Sequence, residues 1–366
     1  MADLMEYIRW RGDILFSQVP PNPVDSLIFS ALSYIQFHDV VEDTPDDQIS
    51  FWEASEKLLS MPDAKERVRI GKDLELLRSA ASSKRFGSTY LSFYRNIFIP
   101  EEDTQFAAVA FILDDDSVFL AFRGTDESLI GWKEDFNMSF KESVPAQRLA
   151  QRYTEKFAGA RSLSLYLGGH SKGGNLAVYA AAKSSKYIQD RIIDVYNFDG
   201  PGFTAQMLNH PGYQRIIPKV RTYVPQSSVF GMLLEREESY TIIRSKQIGL
   251  LQHDPYTWEV LGSSFEQEQK LTADSRFLNR TFKTWLEGMT NDERNVFVDT
   301  LFDLLIIEDT NTLRDIIRPQ NLRSYFRNLK ADENMRKVIA AELTNLIQSA
   351  RNAQSVGRQQ MDAGKE

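Results

Sequence analysis

The residues with the clearest chemical meaning form a Gly-x-Ser-x-Gly pattern at 169–173, with Ser171 at its centre. Where such a pattern joins a strand to a helix, the serine is held on a sharp, exposed turn and acts as a nucleophile. The flanks have this character, because 164–167 is a short apolar run typical of a buried strand and 174–182 is typical of a helix. A Cβ at either glycine would clash where strand and helix approach each other. We therefore predict that Ser171 is a nucleophile.

A serine nucleophile needs a general base at neutral pH, and histidine is the usual one because its pKa is about 6.5. The chain has four histidines, which are His38, His170, His210 and His253. In α/β hydrolases the chain order is serine, acid, histidine, and the histidine follows the last strand. His253 follows the strand that we predict at 239–244, whereas the other three lie earlier or share the turn with the serine. We therefore predict His253 as the base.

The acid that orients His253 is predicted at the end of the strand that follows the serine's helix. Asp199 comes directly after the apolar run 191–198, and α/β sheets place functional groups at the carboxyl ends of their strands. A carboxylate there would hold the imidazole in one tautomer. Asp254 is the alternative, although a side chain next in sequence to a histidine rarely reaches its ring. A second alternative is that Asp199 only begins a turn.

Two backbone N–H groups are predicted to stabilise the oxyanion that forms during acyl transfer. One belongs to Lys172, which follows the serine and begins its helix. The other belongs to Thr125, on the loop after the predicted strand 117–122, where Gly124 lets the loop turn in closely. The alternative for this loop is an ordinary turn at the end of a strand.

A sheet must position these residues, and the pattern of apolar runs predicts one. Predicted strands alternate with helices, so we expect an α/β fold with a mostly parallel central sheet that is covered on both faces. The acidic turn 114–116 predicts a hairpin between the first two strands. The predicted strands are 106–113, 117–122, 164–167, 191–198, 220–224 and, as the last one, 239–244, with a helix at 145–158.

Helices are predicted before and after the sheet. Residues 1–84 are predicted to be an N-terminal helical segment packed on the core, 85–265 an α/β-hydrolase core, and 266–366 a helical C-terminal extension. Within the extension, Thr290 and Glu293 form a capping box that predicts the start of a helix. The polar end of the extension is predicted to be a frayed tail.

Composition argues against several kinds of protein. With 43 Lys+Arg against 51 Asp+Glu the net charge is -8, which argues against binding to nucleic acid or to an anionic membrane surface. The absence of cysteine excludes disulfides, a thiolate nucleophile and thiolate metal ligands. The first residues carry charges throughout, and no apolar stretch reaches the ~18 residues of a membrane span. We therefore expect no signal peptide, no membrane span and a cytoplasmic protein, while oligomeric state has no signature in the sequence.

Several segments resemble known families. The sequence Ala-Phe-Arg-Gly-Thr at 121–125, Trp132 with Asp135, and Gly-His-Ser-Lys-Gly-Gly-Asn-Leu-Ala at 169–177 resemble the class 3 lipases. Closer still is the resemblance to a bacterial Mbeg-like family related to those lipases, carried by 7–13, 24–25, 32–34, 198–202 and 252–254. The resemblance covers roughly residues 5 to 260. It implies an α/β-hydrolase fold, with Ser171 as nucleophile and Thr125 in the oxyanion loop.

Two positions depart from the class 3 lipases. Those lipases take their acid from a motif after the next strand, and the corresponding segment here, 224–231, has Ser228 in place of the aspartate. Either the acid has moved one strand earlier to Asp199, or the triad is incomplete, and we favour the move. Lys172 stands where lipases usually have an apolar residue, and we expect its side chain to face substrate or solvent.

The sequence thus predicts a serine hydrolase of lipase or esterase type, which cleaves a carboxylic ester or related acyl compound through an acyl-enzyme. The substrate is a small-molecule or lipid-like acyl compound, and lipid, small ester, thioester and amide all stay open. No metal or organic cofactor is required. The alternative is a hydrolase-fold protein that has lost catalysis and serves as a binding or scaffold module. Ser228 favours this alternative, and the retention of Ser171 and His253 opposes it.

Overall fold

The centre of the protein is an eight-stranded sheet in which the strands lie side by side in their chain order. A computed structural model describes residues 2–126, 128–306 and 319–363. The strands are β1 (Ile49–Ser50), β2 (Tyr90–Ile99), β3 (Thr104–Ile112), β4 (Ser117–Phe122), β5 (Ser164–His170), β6 (Ile192–Phe198), β7 (Val220–Pro225) and β8 (Tyr240–Ile243). Strands β1 to β4 pair antiparallel, and β4 to β8 pair parallel.

Helices precede, connect and follow the strands. Before β2 they are α1 (Leu4–Arg11), α2 (Pro23–Leu32), α3 (Phe51–Leu59), α4 (Gly71–Ser82) and α5 (Lys84–Gly87). Between β4 and β7 they are α6 (Leu129–Asn137), α7 (Pro145–Ala160), α8 (Lys172–Lys183), α9 (Lys186–Arg191), α10 (Ala205–Leu208) and α11 (Pro211–Ile216). After the sheet they are α12 (Ala273–Glu287), α13 (Asn291–Leu305), α14 (Pro319–Ala331) and α15 (Glu333–Ala363).

One face of the sheet is covered by helices that connect the parallel strands. Right-handed crossovers that all move in the same direction place their helices on the same side of a sheet. Helices α7, α8 and α11 contribute to one buried cluster with β5 and β6, which includes Phe157, Val178, Tyr213 and Val195. Because the chain order of the strands never reverses, the opposite face needs a cover from elsewhere in the chain.

The N-terminal helices provide that cover. Helix α2 packs on β4, β5 and β6, and its residues 24–32 are all buried. Asn22 fixes its start, because the side chain accepts hydrogen bonds from the backbone N–H groups of Val24 and Asp25. The Arg85 guanidinium makes two hydrogen bonds to Asp25, and both side chains are fully buried. This pair joins α5 to α2 and fixes the N-terminal helices relative to one another.

The helices after the sheet pack on α6. Trp285 of α12 and Phe297 and Phe302 of α13 form an apolar cluster with Leu129 and Phe136 of α6. Helix α15 packs in turn on α12 and α13. The helical extension therefore lies against the segment that follows the loop after β4.

The predicted α/β fold with a mostly parallel central sheet is confirmed. The predicted hairpin between β3 and β4 and the capping box of Thr290 and Glu293 are also confirmed. Strand β2 is missing from the sequence predictions. Phe93 adopts a φ of 50°, and a bulge between Ser92 and Arg95 breaks the two-residue alternation that marks a strand.

Strand β8 is the last of the sheet, but a short hairpin follows it, formed by β9 (Val260–Leu261) and β10 (Ser264–Phe265). Strands of two residues are too short for an alternation to be recognised in the sequence. At the polar end predicted to fray, α15 continues to Ala363, and residues 364–366 lie outside the described part. Among the described helices, none is long and apolar enough to cross a membrane.

Candidate active site

Ser171 lies on a tight turn between β5 and α8. Its φ of 59° and ψ of -134° are strained for a serine, and its backbone N–H donates to Phe198 O at 2.9 Å. A Cβ at Gly173 would lie 2.1 Å from Phe122 O, and a Cβ at Gly169 would lie 2.3 Å from the carbonyl carbon of Gly173. Only glycine fits at both positions. The turn therefore presents Ser171 at the carboxyl end of the parallel strands.

His253 and Asp199 meet beside this turn. Asp199 directly follows β6, has a φ of 54° and is fully buried. His253 ends a short 3-10 turn after β8, and its Nδ1 donates to Asp199 Oδ2 at 2.6 Å. The alternative acid, Asp254, accepts a hydrogen bond from Tyr256 N through Oδ1 at 3.1 Å. The structure thus brings His253 to Asp199, and Asp254 has a different partner.

The loop after β7 holds the second oxygen of Asp199. Ser228 Oγ donates to Asp199 Oδ1 at 2.5 Å, and the backbone N–H of Gly231 donates to the same oxygen at 3.2 Å. With His253, three donors surround this buried carboxylate. A buried charge that accepts several hydrogen bonds keeps one orientation, because each donor would be left unpaired by a rotation.

His170 lies directly behind His253, a position that the sequence did not indicate. Its buried ring is 4.5 Å from the ring of His253. Nε2 donates to His253 O at 2.7 Å, which leaves Nδ1 to accept from the Tyr34 hydroxyl at 3.1 Å. Burial, together with His253, holds the pKa of His170 well below its usual value. A neutral His170 therefore supports the His253 backbone, and the pattern at 169–173 could not reveal its contact with Tyr34.

Ser171 and His253 line the same polar cavity, which has a volume of about 290 Å³. Phe230 packs on the His253 ring at a centroid distance of 4.6 Å. Among the described residues, no hydrogen bond joins Ser171 Oγ to the His253 ring, whose Nδ1 is engaged by Asp199. In unliganded sites such bonds are commonly long and tighten when substrate binds. His253 Nε2 is thus the ring nitrogen left for a proton transfer.

The loop after β4 reaches Ser171 from another side. A Cβ at Gly124 would lie 3.1 Å from Ser171 Cβ, so the loop and the turn are in contact. The Thr125 hydroxyl donates to Asp135 Oδ2 at 2.5 Å, which ties the loop to α6. Burial raises the pKa of Asp135 to about 6, against the opposing effects of Lys172 and Thr125. Thr125 and the first residue of α8, the two candidates for the oxyanion site, therefore flank the serine.

The prediction that the Lys172 side chain faces substrate or solvent is wrong, because this side chain is 1% exposed. Its Nζ donates to Glu134 Oε2 at 2.9 Å, to Gln105 Oε1 at 2.8 Å and to Gln105 O at 2.9 Å. Glu134 also accepts from the backbone N–H groups of Gln105 and Ala146. A buried ammonium with three partners, one of them a carboxylate, satisfies all its donors. The pair joins α8 to α6 beneath the serine.

An apolar cavity of about 330 Å³ also opens on Ser171. Its walls come from α6, from the loop after β7 and from the C-terminal helices. They include Trp132, Phe136, Phe230, Phe282, Trp285 and Leu301. A concave and largely apolar cavity beside a serine is suited to an acyl chain.

Parallel strands, helices on both faces and a serine on the tight turn between β5 and α8 define an α/β-hydrolase fold. The chain belongs to the Mbeg1-like family, whose family model matches residues 80–303. The predicted membership in an Mbeg-like family is therefore confirmed.

Several solved lipase structures are similar to this chain. The Rhizomucor miehei lipase propeptide complex is 12% identical, with a TM-score of 0.37 over 72% of this chain and 94% of that chain. The M37 lipase is 15% identical, with a TM-score of 0.37 over 57% of this chain and 69% of that chain. The extracellular lipase LipA from Serratia marcescens is 15% identical, with a TM-score of 0.30 over 57% and 40% of the two chains. No curated protein matches the sequence.

Proposed function

We propose that this protein is a serine hydrolase that cleaves a carboxylic ester or related acyl compound through an acyl-enzyme intermediate. The observation that carries the proposal is the 2.6 Å hydrogen bond between His253 Nδ1 and the buried Asp199, next to a serine on a strained turn. A base that is oriented by an acid and shares a cavity with a serine has the parts that nucleophilic catalysis needs.

In the proposed mechanism, Ser171 Oγ attacks the acyl carbon and His253 Nε2 accepts the hydroxyl proton. Asp199 keeps the proton on Nδ1 and stabilises the imidazolium. The N–H groups of Lys172 and Thr125 bind the oxyanion. The imidazolium then protonates the leaving group, and water, activated by the same histidine, cleaves the acyl-enzyme. Protein groups supply every step, so the mechanism calls for no cofactor.

The apolar cavity is the proposed site of the acyl chain. Phe282, Trp285 and Leu301, which line it, belong to helices after the sheet. In this proposal, helices α12, α13 and α15 of the C-terminal extension complete the substrate site on the core of residues 85–265. The substrate is then a small or lipid-like acyl compound with an apolar chain.

Labelling with a fluorophosphonate tests the proposal, since this probe reacts only with an activated serine. We expect the wild-type protein to be labelled, and the Ser171→Ala variant to stay unlabelled. Ser139→Ala is the matched control, because Ser139 lines the same apolar cavity and lies outside the proposed mechanism. His253→Ala should slow labelling by about 10³-fold or more.

The second candidate function is a binding or scaffold module without catalysis, and the observation that favours it is Ser228 at the place of the lipase acid. A folded wild-type protein that no fluorophosphonate labels at Ser171, and that cleaves no ester across a range of acyl lengths, would support this candidate against the enzyme.

A further inference from the structure

The polar cavity and the apolar cavity meet at Ser171, but only the polar one is lined by His253. The inference that follows rests on the proposed function. In that mechanism the histidine must touch the leaving group in order to protonate it. The leaving group therefore occupies the polar cavity, and the acyl chain occupies the apolar one.

Arg69 lines the polar cavity, and its guanidinium has no hydrogen-bonded partner in the described part of the chain. Among the described residues, this guanidinium makes no hydrogen bond and no ion pair, and its Nε is buried. It lies 4.5 Å from the centroid of the Tyr34 ring, which holds it beside His170 and Ser171. A buried guanidinium nitrogen without an acceptor destabilises the fold, and a ligand in the cavity can supply that acceptor.

The carboxylate of Asp73, four residues further along the chain, already has hydrogen-bonded partners. Asp73 Oδ1 accepts from the Tyr256 hydroxyl at 2.7 Å. Asp73 Oδ2 accepts from the backbone N–H groups of residues 69 and 70, each at 3.0 Å. The acid therefore caps the start of α4, and among the described contacts it accepts no hydrogen bond from the Arg69 guanidinium.

The other charged residues of the cavity also have partners within the protein. Asp126 accepts from Ser128 N at 2.8 Å and lies 3.8 Å from Arg123. Asp254 accepts from Tyr256 N, and Asp135 accepts from the Thr125 hydroxyl. Arg69 is thus the one charged residue lining the cavity, in the described part of the chain, whose charge has no hydrogen-bonded partner.

We propose that Arg69 binds an anionic group of the leaving group, so that the substrate is an acyl ester or thioester of an anionic alcohol or thiol. A phosphate or a carboxylate fits, because the planar guanidinium donates two parallel hydrogen bonds to either. The acyl chain lies in the apolar cavity, the scissile carbonyl lies at Ser171, and the anion lies at Arg69. When the acyl–oxygen bond of an ester or the acyl–sulfur bond of a thioester breaks, His253 gives its proton to the departing oxygen or sulfur, and the anion leaves with the alcohol or thiol.

A matched pair of soluble esters tests this specificity. The pair consists of the octanoyl esters of 4-hydroxybenzoate, which is anionic, and of 4-hydroxybenzamide, which is neutral. Arg69→Gln should lower kcat/KM for the anionic ester about 10-fold or more and change that for the neutral ester less than about 2-fold. Lys72→Gln is the control, because Lys72 lies near the Tyr256 ring and does not line the cavity; it should leave both values unchanged.

A second set of substrates, presented in vesicles, distinguishes the two sources of such an anion, which are a lipid headgroup and a soluble compound. Palmitoyl lysophosphatidate and monopalmitoyl glycerol are presented in the same phosphatidylcholine vesicles. If Arg69→Gln lowers kcat/KM only for the vesicle-borne phosphate, the anion that Arg69 binds is a lipid headgroup. If the variant lowers kcat/KM for the soluble benzoate ester, that anion is a soluble compound. If Arg69→Gln lowers kcat/KM equally for the anionic and the neutral substrates, both in solution and in vesicles, Arg69 has a structural role and the proposal is overturned.

Binding of 4-hydroxybenzoate, measured by calorimetry, separates this proposal from the proposed function. If no ester is cleaved but the wild-type protein binds 4-hydroxybenzoate and Arg69→Gln does not, the anion site stands and hydrolysis fails. If esters are cleaved and the wild type neither binds 4-hydroxybenzoate nor prefers the anionic substrate, soluble or vesicle-borne, more than Arg69→Gln does, the hydrolase stands and the anion site is overturned. If neither cleavage nor binding occurs, both are overturned.

Discussion

Ser228 Oγ donates a 2.5 Å hydrogen bond to Asp199 Oδ1, so the loop after β7 holds the carboxylate at the end of β6. Position 228 is where the class 3 lipases that the sequence resembles have an aspartate. The other oxygen of Asp199 accepts from His253. The serine at the position of the lipase acid is therefore a neighbour of the carboxylate that we propose has taken over that role.

Replacing Asp199 with asparagine should abolish most of the proposed esterase activity. The amide would favour the wrong tautomer of His253 and would not stabilise its charged form, so we expect kcat to fall about 10³- to 10⁴-fold. Asp254→Asn should change kcat less than about 3-fold, because Asp254 bonds to Tyr256 N instead. Steady-state kinetics with an octanoyl ester measure both. The reverse ranking would transfer the acid role to Asp254.

Ser228→Ala should have a smaller effect of the same kind. Asp199 would lose one of its donors and keep Gly231 N, so we expect kcat to fall about 3- to 30-fold. Ser227→Ala is the matched control, since Ser227 Oγ lies 3.1 Å from Thr272 Oγ1 instead. Equal activities of the two variants would mean that the Ser228 hydroxyl does not orient the acid.

Breaking the buried pair of Lys172 and Glu134 should destabilise the fold. Lys172→Met or Glu134→Gln leaves one group without its charged partner, and we expect a loss of about 3–5 kcal/mol in the free energy of unfolding, measured with urea. The double variant should cost less than the sum of the single changes. Lys57→Met is the exposed control, because Lys57 pairs with Glu53 at the surface, and it should cost less than about 1 kcal/mol. Additive losses in the double variant would contradict the coupling.

Asp135 should make the stability of the protein depend on pH. Its pKa is raised to about 6 in the folded state, whereas an unfolded aspartate has a pKa of about 3.9. The folded state thus binds more protons between these values, and this contribution to stability is lost as pH rises from about 4 to 6. Asp135→Asn removes this pH-dependent loss of stability, because asparagine does not ionise, and its amide oxygen still accepts a hydrogen bond from the Thr125 hydroxyl. Urea unfolding should show the variant gaining ~1–3 kcal/mol relative to the wild type between pH 4 and pH 7, and a difference that does not change with pH would contradict this.

Filling the apolar cavity should change acyl-chain selectivity. Leu301→Trp places a larger side chain in the cavity wall, so we expect kcat/KM for an octanoyl ester to fall about 10-fold or more while that for the acetyl ester changes little. Leu343→Trp is the control in the same group of helices, because Leu343 is 54% exposed. Equal effects of Leu301→Trp on both esters would place the acyl chain elsewhere.

The sequence predicted those features that depend on local pattern and chain order. The prediction of Ser171 as the nucleophile follows from the glycines on either side of it. The predictions of Asp199 and His253 follow from their positions after the ends of predicted strands. The burial of Lys172 could not be predicted, because its partners Glu134 and Gln105 come from distant segments. The support of His253 by His170 was missed for the same reason. The spacing of apolar residues in a sequence indicates which face of a helix or strand is buried. It does not indicate which polar group from a distant segment packs against that face.

The unreversed order of the sheet has a consequence for how the protein is made. Helix α2 is buried on nearly all its sides, and it packs on β4, β5 and β6. During synthesis it leaves the ribosome before any of these strands, and at about 5–20 residues per second the delay until β5 emerges is roughly ten seconds. For that time the part of its apolar surface that packs on these strands is not yet covered by them. The helix that covers one face of the finished sheet is therefore an apolar segment that the nascent chain must keep from aggregating until the strands are made.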